Sequence, residues 1–89
     1  MYSDVYSETI AKKLSKIRKK DAKHFSIVRK KMDELLENPH HSYKFLHYNM
    51  KSINRVHIGH FVLVFTVDHK DKIASFEDYD HHDKIYIRK

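Results

Sequence analysis

The sequence predicts an α+β domain in which two helices pack on one face of a sheet of antiparallel strands. Three observations predict it: two amphipathic helical patterns in the first half, strand-like segments in the second half, and a Gly59-His60 turn between two of those segments. The length of 89 residues fits a single domain over 1–89. An order of strand, two helices and then strands is typical of a sheet that carries its helices on one face.

The first half predicts an N-terminal edge strand over 2–6 and then a helical hairpin. Ser7 is suited to cap the first helix, and Asp21 is suited to cap the second. Asn38-Pro39 ends the second helix, because proline cannot continue the hydrogen-bond ladder. The apolar residues recur at helical spacing, as Ile10, Leu14 and Ile17 in the first helix and as Phe25, Val28, Met32, Leu35 and Leu36 in the second.

The second half predicts strands over 53–58, 61–67 and 73–79, with the two-residue turn after the first and a polar turn over 68–72 after the second. Residues opposed across a hairpin share a face. The face expected against the helices carries Val56, Ile58, Phe61, Leu63 and Phe65. The other face carries Arg55, His57, Val62, Val64 and Thr66. Since this second face mixes cations with apolar residues, the C-terminal segment or a partner should cover it.

The charge distribution points to an anionic partner. The chain has 18 Lys and Arg against 12 Asp and Glu, a net charge of +6. Residues 38–67 contain Lys44, Lys51, Arg55 and five His, but no acidic residue. A stretch without carboxylates does not repel phosphate, so we expect the binding surface there.

Composition excludes several classes of protein. The chain has no cysteine, so neither a disulfide nor a thiolate metal site can stabilise it. The longest mostly apolar run, 61–67, is too short to span a bilayer, and residues 1–10 lack a secretory signal. We therefore expect a cytoplasmic protein with no membrane association and no cofactor. The run 80–83 contains metal-ligand residue types, but adjacent His on an extended segment point in opposite directions, so we predict no metal site.

Four segments, in order, resemble the RelE/ParE toxin superfamily, and within it a RelE-like toxin of a type II toxin–antitoxin system. They are Leu35-Leu36-Glu37-Asn38-Pro39, Lys44-Phe45-Leu46, the hairpin over 54–65, and His81-His82-Asp83-Lys84-Ile85-Tyr86. The resemblance implies a ribosome-dependent mRNA endonuclease that inhibits translation. It also implies a RelB-like antitoxin as partner, together with the ribosome and its mRNA, including contacts with ribosomal RNA.

The resemblance also assigns the site residues. Arg55 matches a basic position of the family hairpin, and Tyr86 matches the closing Tyr that RelE-like nucleases place at the scissile bond. His57 and His82 stand where many members have Arg, and Val62 stands where the family usually has a catalytic Arg. The candidate catalytic residues are therefore Arg55, His57, His82 and Tyr86, and the candidate RNA-binding residues are Lys44, Lys51, His60 and His81.

These residue types suit RNA cleavage without a metal, which needs a base, an acid and a fixed positive charge at the phosphate. Other interpretations stay open. Tyr86 alternates with Ile85 and Ile87 as a packed strand residue would, and the lysines of the two helices also fit a solvated face. The alternatives to the mRNA endonuclease are a ParE-like gyrase inhibitor, a degenerate toxin that still binds its antitoxin, and a plain RNA-binding module.

Overall fold

The described residues form a five-stranded sheet with two long helices packed against one face and a short helix on the other. The computed structural model describes residues 1–39, 44–45 and 53–87. The elements are β1 (Ser3–Tyr6), α1 (Glu8–Lys20), α2 (Ala22–Glu37), β2 (Lys44–Phe45), β3 (Ile53–Ile58), β4 (Phe61–Asp68), β5 (Ile73–His81) and α3 (His82–Ile87). The predicted α+β class is confirmed.

The two long helices begin at the predicted caps. The Ser7 hydroxyl accepts a hydrogen bond from the Ile10 amide at 3.1 Å and donates to the Glu77 carbonyl at 2.6 Å, which ties the start of α1 to β5. Asp21 serves both helices: its amide donates to the Ile17 carbonyl at 2.7 Å, and its carboxylate accepts from the His24 amide at 3.0 Å. A single residue therefore ends α1 and caps α2, so the hairpin is tight.

The sheet has the strand order β1-β5-β4-β3-β2. The first strand lies at the edge, as predicted, but it runs parallel to β5 with Ser3 opposite Ile73. The other neighbours are antiparallel. The last strand, β5, extends to His81, two residues beyond the predicted end.

The β3–β4 hairpin has the predicted register, with Ile58 opposite Phe61 and His57 opposite Val62. Gly59 has a φ of 63°, in the left-handed region that favours glycine. The face predicted to meet the helices does so. The core on that side contains the following buried residues: Ile10, Leu14, Val28, Met32, Leu35, Leu36, Ile58, Leu63, Phe65, Ala74, Phe76 and Tyr79.

A register shift interrupts the β4–β5 ladder. Leu63 is opposite Tyr79 but Phe65 is opposite Phe76, so β5 carries an extra residue at this point. Phe76 and Tyr79, three positions apart, therefore both join the core beneath the helices.

The C-terminal segment corrects one prediction. The alternation of Ile85, Tyr86 and Ile87 suggested a strand, but the chain turns into α3 directly after β5. Ile85 packs on Val62 and Val64, so this segment provides the cover that the second sheet face needed. In the described part of the chain, no helix is long and apolar enough to span a membrane.

Candidate functional site

The sheet face away from α1 and α2 carries two of the predicted catalytic residues. Arg55 is opposite Val64 and His57 is opposite Val62, so both lie on the face that α3 covers. Arg55 is half-buried with its Nε atom shielded from solvent, whereas His57 is exposed. The guanidinium and the imidazole, both on β3, therefore lie beside a small apolar patch that Val62 and Val64 form on β4.

By register, two carboxylates of β5 lie on the same sheet face as Arg55 and His57. Asp78 is opposite Val64 and Asp80 is opposite Val62, so the stretch without acids in the sequence has acidic neighbours in space. The Lys13 ammonium donates to both, at 2.7 Å to Asp78 and 2.9 Å to Asp80. Partial burial acts to raise the pKa of Asp80, but hydrogen bonds from Lys13 and the His81 amide, with nearby Lys84, hold that pKa below its ordinary value. Lys13 thus compensates charges that would repel phosphate.

The arrangement of Lys13, Asp78 and Asp80 was not predicted from the sequence. The partners are 65 and 67 positions apart, beyond the reach of local patterns. The alternation of Asp78 and Asp80 along a strand was the available signal, because it places both carboxylates on one face.

The short helix α3 brings the C-terminal candidates to this face. Ile85 is 3% exposed and packs on Val62, which is fully buried. His82 and Tyr86 lie on the same short helix, at its first and fifth positions. Val62, where the resemblance to the family led us to expect Arg, is therefore part of a packed apolar contact.

Three of the predicted histidines meet at the turn end of the sheet. The ring centroids of His81 and His82 are 4.7 Å apart, and the His60 ring lies 6.1 Å from His81 and 6.5 Å from His82. The His82 amide donates to the His60 carbonyl at 2.9 Å, which fixes α3 to the β3–β4 turn. His60 and His81, predicted to bind RNA, thus lie beside His82, predicted to be catalytic.

The other two RNA-binding candidates are less defined. Lys44 lies in β2 in register with Arg55, which puts it on a neighbouring strand of the sheet. Lys51 lies outside the described residues.

A second basic surface lies on the helix side of the sheet. A groove of about 350 Å³ lies above Phe61 and Tyr79, whose rings stack with centroids 5.2 Å apart. Its charged lining residues are Lys13, Lys16, Lys20, Asp21 and Asp80, and Lys13 pairs with Asp80. The Tyr79 hydroxyl is 2.8 Å from Nε2 of His24, and burial raises the pKa of this phenol. Three lysines of α1 therefore border a groove whose floor is formed by the rings of Phe61 and Tyr79.

Comparison with known proteins identifies the class. No protein-family model matches the chain. The fold resembles the isolated RelE toxin of E. coli (TM-score 0.75, 19% identity, 91% of this chain and 84% of that one). It also resembles a chain of the toxin–antitoxin complex RelBE2 of Mycobacterium tuberculosis (TM-score 0.74, 17% identity, 90% and 96%).

Sequence relatives agree with the fold. The chain is 46% identical to a protein of Methanocaldococcus jannaschii named "Putative toxin RelE4", over 100% of this chain and 95% of that protein. It is 52% identical to an uncharacterized protein of Methanosarcina mazei, over 83% of this chain and 86% of that one. The class of protein is a RelE-fold toxin, and the predicted membership is confirmed: the chain belongs to the RelE-like toxin family.

Proposed function

We propose that this chain is the toxin of a type II toxin–antitoxin pair and that it cleaves mRNA on the ribosome without a metal ion. Family membership supports the toxin class. The observation that carries the proposed chemistry is the placement of Arg55 and His57 on one face of β3, beside the valines of β4 that α3 covers. That helix begins with His82. A fixed cation and two imidazoles in this region fit the needs of RNA cleavage.

Each residue has a proposed role in the reaction. Arg55 binds the scissile phosphate and stabilises the extra negative charge of the phosphorane, because its planar fork matches two phosphate oxygens. His57 and His82 act as the base that takes the 2′-hydroxyl proton and the acid that protonates the leaving 5′-oxygen. Tyr86 stacks at the scissile site, as its resemblance to the family's closing Tyr implies.

The RNA track continues around this site. Lys44 and Lys51 supply positive charge to the backbone of the mRNA, while His60 and His81 line the turn end of the sheet. The groove beside Lys16 and Lys20, which Asp80 also lines, is a second surface where these two lysines can contact phosphates of ribosomal RNA.

The proposed protein partner is an acidic RelB-like antitoxin. The net charge of +6 favours an acidic partner, and the exposed side chains of Val5 and Ile27 offer apolar contacts. Co-expression with the adjacent open reading frame should yield a stable complex that relieves growth arrest. Harmless overexpression of this chain alone would contradict the proposal.

A second candidate function rests on Val62. Because this residue is fully buried beneath Ile85, it supplies no charge at a position where the family usually has Arg. The chain would then be a toxin-fold protein that binds its antitoxin without cleaving RNA, or a ParE-like inhibitor of gyrase.

Primer extension separates these functions. The purified chain is added to a translating cell-free system, and the 5′ ends of the mRNA are mapped with and without it. Cuts within codons that require translation support the nuclease. Intact mRNA together with inhibited DNA supercoiling would establish the gyrase function instead.

A further inference from the structure

The junction of β5 and α3 holds a cluster of metal-ligand side chains. Nδ1 of His82 is 3.1 Å from one carboxylate oxygen of Asp83, and Nδ1 of His81 is 3.6 Å from the other. One potential ligand atom from each of the three residues lies within 4.8 Å of the others. The side chains of His81 and His82 are 39% and 40% exposed, so an ion can reach them from solvent.

The spacing fits a small divalent ion. Zinc binds imidazole nitrogen and carboxylate oxygen at about 2.0–2.2 Å in a tetrahedral arrangement. Ligand atoms of such a tetrahedron are therefore separated by about 3.3–3.5 Å. The two N–O distances of 3.1 and 3.6 Å lie on either side of that range but end on different carboxylate oxygens. The three ligand atoms lie within 4.8 Å of one another, so side-chain rotations can bring them together around one ion.

The backbone explains why adjacent histidines converge. An extended segment would direct them to opposite sides, but the chain changes from strand to helix between His81 and His82. Their rings consequently stack with an interplanar angle of 29°. The His81 amide donates to Asp80 at 2.8 Å and the His82 amide to the His60 carbonyl at 2.9 Å, which holds both residues in place.

The turn supplies a fourth donor. The exposed His60 has its ring within 6.5 Å of both other imidazole rings, close enough to complete a tetrahedral set by side-chain rotation.

Ion pairing with Asp83 would also account for the contacts of His81 and His82. Titration with zinc separates the two explanations, because ion pairing alone predicts no metal binding. The Asp83 amide donates to Nδ1 of His81 at 3.3 Å, a long hydrogen bond that a metal ion would displace.

We propose that His81, His82 and Asp83, with His60 as fourth ligand, form a binding site for zinc or a similar divalent transition-metal ion. The ion would occupy one nitrogen of the His82 ring, Nδ1, so that this nitrogen could no longer take up or release a proton. Metal binding would then inhibit cleavage, a consequence that rests on the proposed function. The site itself does not depend on that function, because binding is measurable without RNA.

Calorimetric titration of the metal-free, full-length chain with zinc chloride tests the site. One equivalent should bind with a micromolar or tighter Kd, and His81→Ala and Asp83→Asn should each weaken it by about tenfold or more. His69→Ala is the matched control, because it removes an exposed histidine at the opposite end of β4 and should leave this Kd unchanged.

Two results would overturn the proposal: a parent Kd in the millimolar range, or tight binding that both cluster variants retain. Circular dichroism checks that the variants are folded, and Asp83→Asn preserves the shape of an exposed side chain if His81→Ala perturbs the strand end. Failure of the chain to cleave RNA would refute the proposed function and leave this measurement unaffected.

Discussion

Lys13 and Asp80, 67 positions apart, are joined by an ion pair of 2.9 Å that links α1 to β5. The same ammonium also pairs with the buried Asp78 at 2.7 Å. One cation from the helix layer thus compensates two carboxylates that share the sheet face of Arg55 and His57 by register.

Lys13→Met should destabilise the fold and weaken activity. It leaves the buried Asp78 carboxylate without its cation, which costs roughly 1–3 kcal/mol for a buried polar group, and it adds uncompensated negative charge near the RNA face. Urea unfolding measures the free energy of unfolding. Lys12→Met, an exposed neighbour on α1, removes the same charge and should change stability by less than about 0.5 kcal/mol. Equal stabilities of the two variants would contradict the assigned role of Lys13.

Arg55→Ala should reduce cleavage by about a hundredfold, the scale for loss of one charge-stabilising donor in a transition state. Arg55→Lys keeps the positive charge but loses the planar fork, so it should recover only part of the rate. Single-turnover cleavage on programmed ribosomes measures both, and thermal unfolding checks that the variants are folded. Full activity of a folded Arg55→Ala variant would exclude Arg55 from the site.

Ile85→Ala should release α3 from the sheet. The substitution removes the apolar contact with Val62 and Val64, at a cost of about 2 kcal/mol or more for a buried isoleucine. Binding of a hydrophobic dye should increase as the two valines become exposed. Lys84→Ala, at an exposed position on the same helix, should leave dye binding at the parent level. If both variants bind dye equally, the helix does not depend on this contact.

Tyr79 should make the fold sensitive to alkaline pH. Burial raises the pKa of its phenol above the ordinary value of 10.0. A group with a raised pKa in the folded state contributes stability that is complete below its unfolded pKa and is lost as pH rises through the folded value. Absorbance titration near 295 nm should therefore show a phenol that ionises later in the folded chain than in urea. Tyr79→Phe should remove this late component, and an unchanged titration curve would assign the component to another tyrosine.

Local patterns predicted most of the fold. The caps formed by Ser7 and Asp21 and the turn at Gly59 involve residues only a few positions apart, so they could be recognised from the sequence. The hairpin register follows directly from that turn. By contrast, the pattern around Ile85 was also compatible with a strand, and the six-residue helix that forms instead depends on distant contacts. These are the packing of Ile85 on two valines of β4 and the hydrogen bond from the His82 amide to the His60 carbonyl.

The candidate site depended more on distant contacts. The resemblance pointed to Arg55, His57 and His82, but their surroundings arise from β5 and α1. Neither the Lys13 ion pairs nor the convergence of His60 on His81 and His82 follows from spacing along the chain. Residues 38–67 contain no acid in the sequence, but the folded sheet places Asp78 and Asp80 of β5 next to them. The absence of acids therefore does not extend to the surroundings of this stretch in the structure.

The parallel pairing of β1 with β5 has a consequence for synthesis of the protein. Ser3 is made well before its partner Ile73 and leaves the ribosome before it. The closing loop is long, so this pairing forms late and slowly compared with the helical hairpin. A nascent chain can build α1 and α2 early, but it cannot complete the sheet until most of β5 has emerged.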